Sequence, residues 1–164
     1  MEKGITPYPR AEKILKKIIS GGQTGVDRAA LDAALELGIP CGGWCPKSRR
    51  AEDGAIPDHY PLQETASFDY RVRTEKNVDQ SDGTLILTWG PPVGGTALTI
   101  RLAKRRHKPY CIVDLSMDGD PAKVKEWVQE QKVRILNVAG PREGEAPGIH
   151  SRALLFLREV LMIV

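Results

Sequence analysis

One stretch of this chain restricts its fold more than any other. In IISGGQTGVDRAALDAALELGIP, residues 18–40, an apolar strand breaks at two glycines and restarts almost at once as a helix. The helix expected over Val26–Leu37 repeats apolar residues at helical spacing and stops at Gly38 and Pro40, the usual end signals. Such a strand–turn–helix unit belongs to a parallel α/β sheet and makes an anion site. Glycines let a ligand reach the backbone, and the helix N-terminus supplies unpaired N–H groups and the positive end of a dipole.

The rest of the chain repeats the alternation. Strands are expected over Ile14–Ser20, Ile39–Trp44, Gly83–Thr88, Tyr110–Leu115 and Arg134–Ala139, with further helices over Phe68–Ser81, Thr96–Arg106, Pro121–Gln131 and Gly148–Met162. Strands alternating with helices predict an α/β fold, a five-stranded parallel sheet covered by helices on both faces. Residues 1–12, polar and carrying Pro7 and Pro9, read as a flexible tail, and residues 13–164 as a single domain. The segment Cys45–Ser67 lacks periodicity and reads as a long loop, either functional or plain surface.

Charge and cysteine usage narrow the classes. A net charge of +3 with dispersed basic residues does not imply a nucleic-acid partner, and Lys104, Arg105 and Arg106 read as the solvated end of a helix. Cys41, Cys45 and Cys111 are too few for a disulfide scaffold, and no CxxC pair or histidine cluster marks a metal site, so a cytoplasmic protein without a metal of its own is expected. His59, His107 and His150 are isolated from any nucleophile. Trp44 and Trp89 end strands, where core packing or stacking on a flat ligand both account for them. No signal peptide or membrane-length apolar run is visible.

Candidate binding residues come from three glycine turns. The first offers Gly21, Gly22, Gln23, Thr24, Gly25 and Asp27, although capping alone accounts for Thr24 and Asp27. The second, GPPVGGTALT, leads into a helix through Gly94, Gly95 and Thr96. The third offers Gly140, Pro141, Arg142 and Glu143, with Arg142 suited to bidentate contact with a phosphate or carboxylate. In the long loop, Lys47 and Arg49 are cations that either face a ligand or pair with Glu52 and Asp53 at the surface. Together these turns read as a site for a phosphorylated small molecule.

The stretches GGQTGVDRAALDAA, GGWCPKSRRAEDGAIPDHYPLQET, NVDQSDGTLIL, GGTALT and LNVAGPRE with PGI resemble the molybdenum-cofactor carrier protein family, a circularly permuted branch of the LOG-like (SLOG) nucleotide-binding superfamily. The resemblance implies a Rossmann-like three-layer α/β/α sandwich. Its opening strand has moved to the end of the chain, so the expected sheet order is 2-1-5-3-4, which brings the three glycine turns together at one edge. It also implies a bound molybdenum cofactor, a molybdopterin, protected from oxidation and hydrolysis and passed to a molybdoenzyme recipient, and a homo-oligomer, dimer or tetramer.

LOG proteins cleave the N-glycosidic bond of nucleoside monophosphates through a PGGxGTxxE motif. Here Thr99 stands in the place of the glutamate, and a hydroxyl cannot supply a carboxylate's charge. No catalytic residue is therefore assigned, although Glu52, Asp53 and Glu143 are possible geometric substitutes and Arg73 falls near where those enzymes carry a basic residue. Two alternatives to the carrier remain open: a nucleotide-derivative sensor and a nucleoside monophosphate N-glycosidase.

Overall fold

A computed structural model describes residues 12–164. The expected tail lies outside the described residues except for Glu12.

In chain order the elements are β1 (Lys17–Ile19), α1 (Val26–Glu36), β2 (Cys41–Gly42), β3 (Trp44–Cys45), a 3-10 turn (Lys47–Arg49), β4 (Arg50–Ala51), β5 (Gly54–Ala55), β6 (Gln63–Glu64), α2 (Tyr70–Gln80), β7 (Gly83–Thr88), α3 (Gly94–Arg105), β8 (Tyr110–Asp114), α4 (Pro121–Glu130), β9 (Ile135–Ala139) and α5 (Ile149–Ile163). Five strands form an all-parallel Rossmann-like sheet in the order β2-β1-β9-β7-β8. Counted among themselves in chain order these run 2-1-5-3-4, and the labels differ only because four two-residue strands, β3 to β6, lie outside the sheet.

Burial explains the sheet's composition. All six residues of β7 are buried, as a strand covered on both faces requires, and its two threonines sit on the same face as Ile86. Thr84 is satisfied by Asn137 of β9, whose side-chain amide donates to its hydroxyl at 3.3 Å. On one face, Ala29, Ala30, Ala33 and Ala34 of α1 meet Ala153, Leu157 and Val160 of α5, and small residues let the two helices approach closely. Leu85, Leu87, Leu136 and Val138 supply the sheet's side of that core. Each fully buried leucine contributes about 1.5–3 kcal/mol. The opposite face is covered by α2 and α3 around Val78, Leu102 and Ala103.

Two expectations are corrected. The second strand does not continue to Trp44: Gly43 turns the chain at φ +127°, where a Cβ would lie 2.9 Å from the Ser20 amide nitrogen. Trp44 and Cys45 instead pair in parallel with Gln63 and Glu64, and the Asn77 side chain holds Trp44 by both its N–H (2.8 Å) and its C=O (3.0 Å). Nor is 45–67 an unpatterned loop. It has its own apolar cluster of Cys45, Ala51, Ile56 and Tyr60 against Leu31.

Candidate functional site

The cavity of interest, about 140 Å³, lies among α1, α2, α3 and the end of β9. That is the carboxyl edge of the sheet, where open α/β folds bind ligands. Each of the three glycine turns contributes to its wall: Gly21, Gln23 and Asp27 from the first, Gly95 and Thr96 from the second, Gly140 and Arg142 from the third. Gly140 is required by packing, since a Cβ would collide with the Leu87 carbonyl oxygen and approach Val26 Cγ2 to 2.6 Å.

The first turn is closed upon itself. Ser20 Oγ accepts from Gly22 N–H (3.4 Å), Asp27 Oδ2 from Gln23 N–H (3.3 Å), and Gln23 Oε1 from Thr24 N–H (3.1 Å). The first helical amide, Val26 N–H, donates to the Pro141 carbonyl at 3.2 Å. The Thr24 hydroxyl donates to the Glu52 carboxylate and accepts from Glu143 N–H at 3.1 Å. Glu52 also accepts from Gly144 N–H (2.9 Å), and these hydrogen bonds hold its carboxyl below the usual range, the Thr24 bond contributing most. The dense pattern of this motif thus welds α1, the long segment and the chain after β9 together.

The turn before α3 is open. Val93 at the N-cap provides no side-chain acceptor, and the amides of Gly94, Gly95 and Thr96 find no acceptor among the described residues. A Cβ built on Gly95 meets nothing within 4 Å. Thr99, one turn along, lines the cavity and donates its hydroxyl to the Gly95 carbonyl at 3.0 Å.

Charge enters the cavity from α2 and from the chain after β9. Arg73 Nη1 donates to the Gly21 carbonyl at 2.9 Å and lies 3.4 Å from Asp27 Oδ2, while its Nε donates to the Tyr70 carbonyl at 3.2 Å. Burial raises the Asp27 carboxyl to about 6, with Arg73 opposing the rise. Arg142 Nε pairs with Glu145 at 3.0 Å and approaches Glu52 at 3.6 Å.

The remaining sequence candidates lie off the cavity wall. Gly22 (φ +74°) abuts Ile56 and Leu62, and Gly25 (φ +78°) backs onto the Pro141–Glu143 main chain. Gly94 (φ +53°) starts α3. Pro141 is the acceptor for Val26 N–H, and Glu143 caps α5, accepting from the amides of Gly148 and His150. Lys47 sits over the Phe68 ring. Arg49 donates to the carbonyls of Ile56 (2.9 Å), Pro57 (2.7 Å) and Tyr60 (2.9 Å), holding a turn in which Ser48 and Arg49 both have positive φ. Glu52, Asp53 and Glu143 do not line the cavity, whose carboxyl groups are Asp27 and Glu145.

Sequence reasoning passed over Tyr70, Thr74 and Asn77 of α2, and Asn137 of β9, which also line the wall. Tyr70, Arg73, Thr74 and Asn77 stand at i, i+3, i+4 and i+7, so their common helix face was a readable signal. Trp89 is 53% exposed rather than packed, whereas the Trp44 ring carries the Lys76 ammonium 4.0 Å from its centroid. Among the described residues no group of three or more His, Cys, Asp or Glu is placed to hold a metal ion, and no helix is long and apolar enough to cross a membrane. All three cysteines are free, and burial pushes their thiols up.

A sequence model of the circularly permutated YpsA SLOG family matches residues 18–161. The crystal structure of a protein from Syntrophus aciditrophicus SB, named "putative molybdenum carrier protein", superposes with a TM-score of 0.87 at 46% identity, covering 90% of this chain and 96% of that one. No curated protein matches the chain. The match reaches into every element from β1 to α5 and includes all three glycine turns, and the chain belongs to the circularly permutated YpsA SLOG family.

Proposed function

We propose that this protein binds a phosphorylated small molecule at the cavity, with molybdenum cofactor as the ligand, and holds it for transfer to a molybdoenzyme. The observation that carries the reading is the uncapped N-terminus of α3, with three unpartnered amides, no side chain over Gly95, and the Arg73 guanidinium in the same wall. Oriented amides and a helix dipole are the standard means of seating a phosphate. A space of about 140 Å³ suits a phosphoryl group, and the remainder of the ligand would extend through the mouth. The neighbour's name supports the choice of cargo.

A carrier needs no acid or base, and the cavity is consistent with that. Thr99 replaces the superfamily glutamate and its hydroxyl is committed to its own helix. Asp27, the buried carboxyl, is held by Arg73. Self-association belongs to the same proposal: Leu155, Met162 and Ile163 are exposed apolar side chains on α5, the middle helix of its layer. Light scattering over a wide concentration range tests it, with a strict monomer as the contrary result.

The test of function is retention. Purified protein is incubated with isolated molybdenum cofactor, and separately with nucleoside monophosphates, then gel-filtered. Near-stoichiometric pterin and molybdenum, lost in Gly95→Asp, is the expected result. Retained nucleotide would point to a sensor, and released base to a hydrolase.

A further inference from the structure

Arg73 and Asp27 form an ion pair in the wall of the cavity, with side chains only 11% and 9% exposed. Arg73 is anchored independently of its partner. Its Nη1 and Nε donate to the carbonyls of Gly21 and Tyr70, and its Nη2 has no partner among the described residues. The guanidinium therefore keeps its place when its counter-ion changes. Asp27 is held through its main chain in the first turn of α1, where its carbonyl accepts from Ser20 Oγ at 2.9 Å. Its carboxylate is the closest negative charge to the cation that faces the proposed anion site.

We propose that Asp27 is the resident counter-ion of Arg73, which an anionic ligand supplants, so that binding to the ionised form takes up a proton from solvent onto the Asp27 carboxyl. This rests on the anion-binding reading above and deepens it by specifying what the site exchanges. An anion entering beside Arg73 meets a carboxylate that burial already disfavours. Protonation removes the repulsion, and the ligand's own charge then balances Arg73. The bookkeeping is one proton in and one anion in, with no bond formed or broken on the ligand.

The other charges around Asp27 do not replace it. On its own helix, Arg28 is engaged with Asp53 at 2.8 Å. From the chain after β9, Arg142 is shared between two carboxylates, Glu145 and Glu52, so that side brings no free positive charge. The α3 wall contributes only Gly95, Thr96, Leu98 and Thr99. Arg73 from α2 is thus the cation whose partner the ligand must supplant. Asp27 ionises at about 6 in the free protein, so the exchange falls in the range where cellular pH acts on it.

The consequence is a direction. Affinity for an anion of fixed charge should rise as pH falls from about 8 toward about 6, by a factor approaching ten per pH unit, and level off below. Sulfate serves as the probe because its charge does not change over that range. Calorimetric titration of the full chain in two buffers of different ionisation enthalpy should give heats that differ by the buffer's own, reporting proton uptake. The Asp27→Asn variant should bind sulfate with pH-independent affinity and buffer-independent heat. Wild-type binding with a flat pH profile and no proton uptake would overturn the proposal while leaving the anion site intact. Absence of sulfate binding at every pH, in wild type and variant, would overturn both. The buffer comparison needs only the wild-type protein, so a poorly folded variant does not remove the test.

Discussion

The turns before α1 and α3 look alike in sequence, GGQTGVD and GPPVGGTALT, yet they do opposite things with their amides. The first is richer in polar side chains and spends them on itself: Ser20, Asp27 and Gln23 accept from the N–H groups of Gly22, Gln23 and Thr24, while the Thr24 hydroxyl is tied to the distant Glu52. The second has a valine at its N-cap and two bare glycines, and its amides stay open. A conspicuous motif here marks a structural joint, and the plainer one is the proposed ligand site. The physical lesson is that internal acceptors and a phosphate compete for the same donors, so the turn whose amides are already engaged is the poorer anion seat.

The contrast can be broken from the structural side most strongly at Gly140 and Gly25. Gly140→Ala should cost on the order of 3 kcal/mol, read as a fall in chemical-denaturation midpoint, because the new methyl meets the β7 backbone and Val26, neither of which can yield. Gly25→Ala adds a positive-φ penalty to a clash with the Arg142 carbonyl carbon at 2.9 Å. At α3 the expectation is reversed. Gly95→Asp should leave stability within about 0.5 kcal/mol, since its Cβ enters open space and an acid suits a helix N-terminus, yet weaken phosphate binding at least about 100-fold. A destabilised Gly95→Asp that still binds would invert the assignment of the two turns.

Asp27 gives a pH prediction that sharpens the same contrast. Its folded-state carboxyl lies at about 6 against an ordinary 3.8, so the folded protein binds more protons than the unfolded chain between those values. The contribution to stability is fully present below about 3.8 and is lost as pH rises through about 6. Asp27→Asn should therefore be more stable than wild type at neutral pH, by up to about 3 kcal/mol, with the difference vanishing in acid. Urea melts of both proteins across pH measure this, and equal stabilities at pH 7 would contradict it.

The smallest expected effect is at Glu52. Its carboxylate ties Thr24 to Gly144, so Glu52→Gln should cost about 1 kcal/mol without changing ligand affinity. A Glu52→Gln variant with full stability but weakened binding would move the long segment into the site.

Much of the architecture was readable from residue pattern. The run GTLILT, apolar without alternation, gave a strand buried on both faces, and Val26–Leu37 carried both its period and its stop at Gly38. The sheet order came from the resemblance, since βα units alone do not fix which strand neighbours which. The break at Gly43 was not legible, because a glycine between apolar residues continues a strand unless a neighbouring backbone, here Ser20, crowds it. Nor was the fate of Thr24 and Arg49, whose partners are set by the tertiary fold of 45–67. The face of α2 was the reverse case. Its polar spacing was visible but reads as a solvent stripe until α1 and α3 are placed beside it, with Arg73 signalled only by the superfamily comparison.

The most direct measurement is an amide-resolved NMR titration of the protein with inorganic phosphate. The account predicts that the backbone amides of Gly94, Gly95 and Thr96 shift together with the Arg73 side chain, while those of Gly22, Gln23 and Thr24 stay in place. Shifts confined to Gly22–Thr24, with Gly94–Thr96 silent, would contradict it and return the anion site to the first turn.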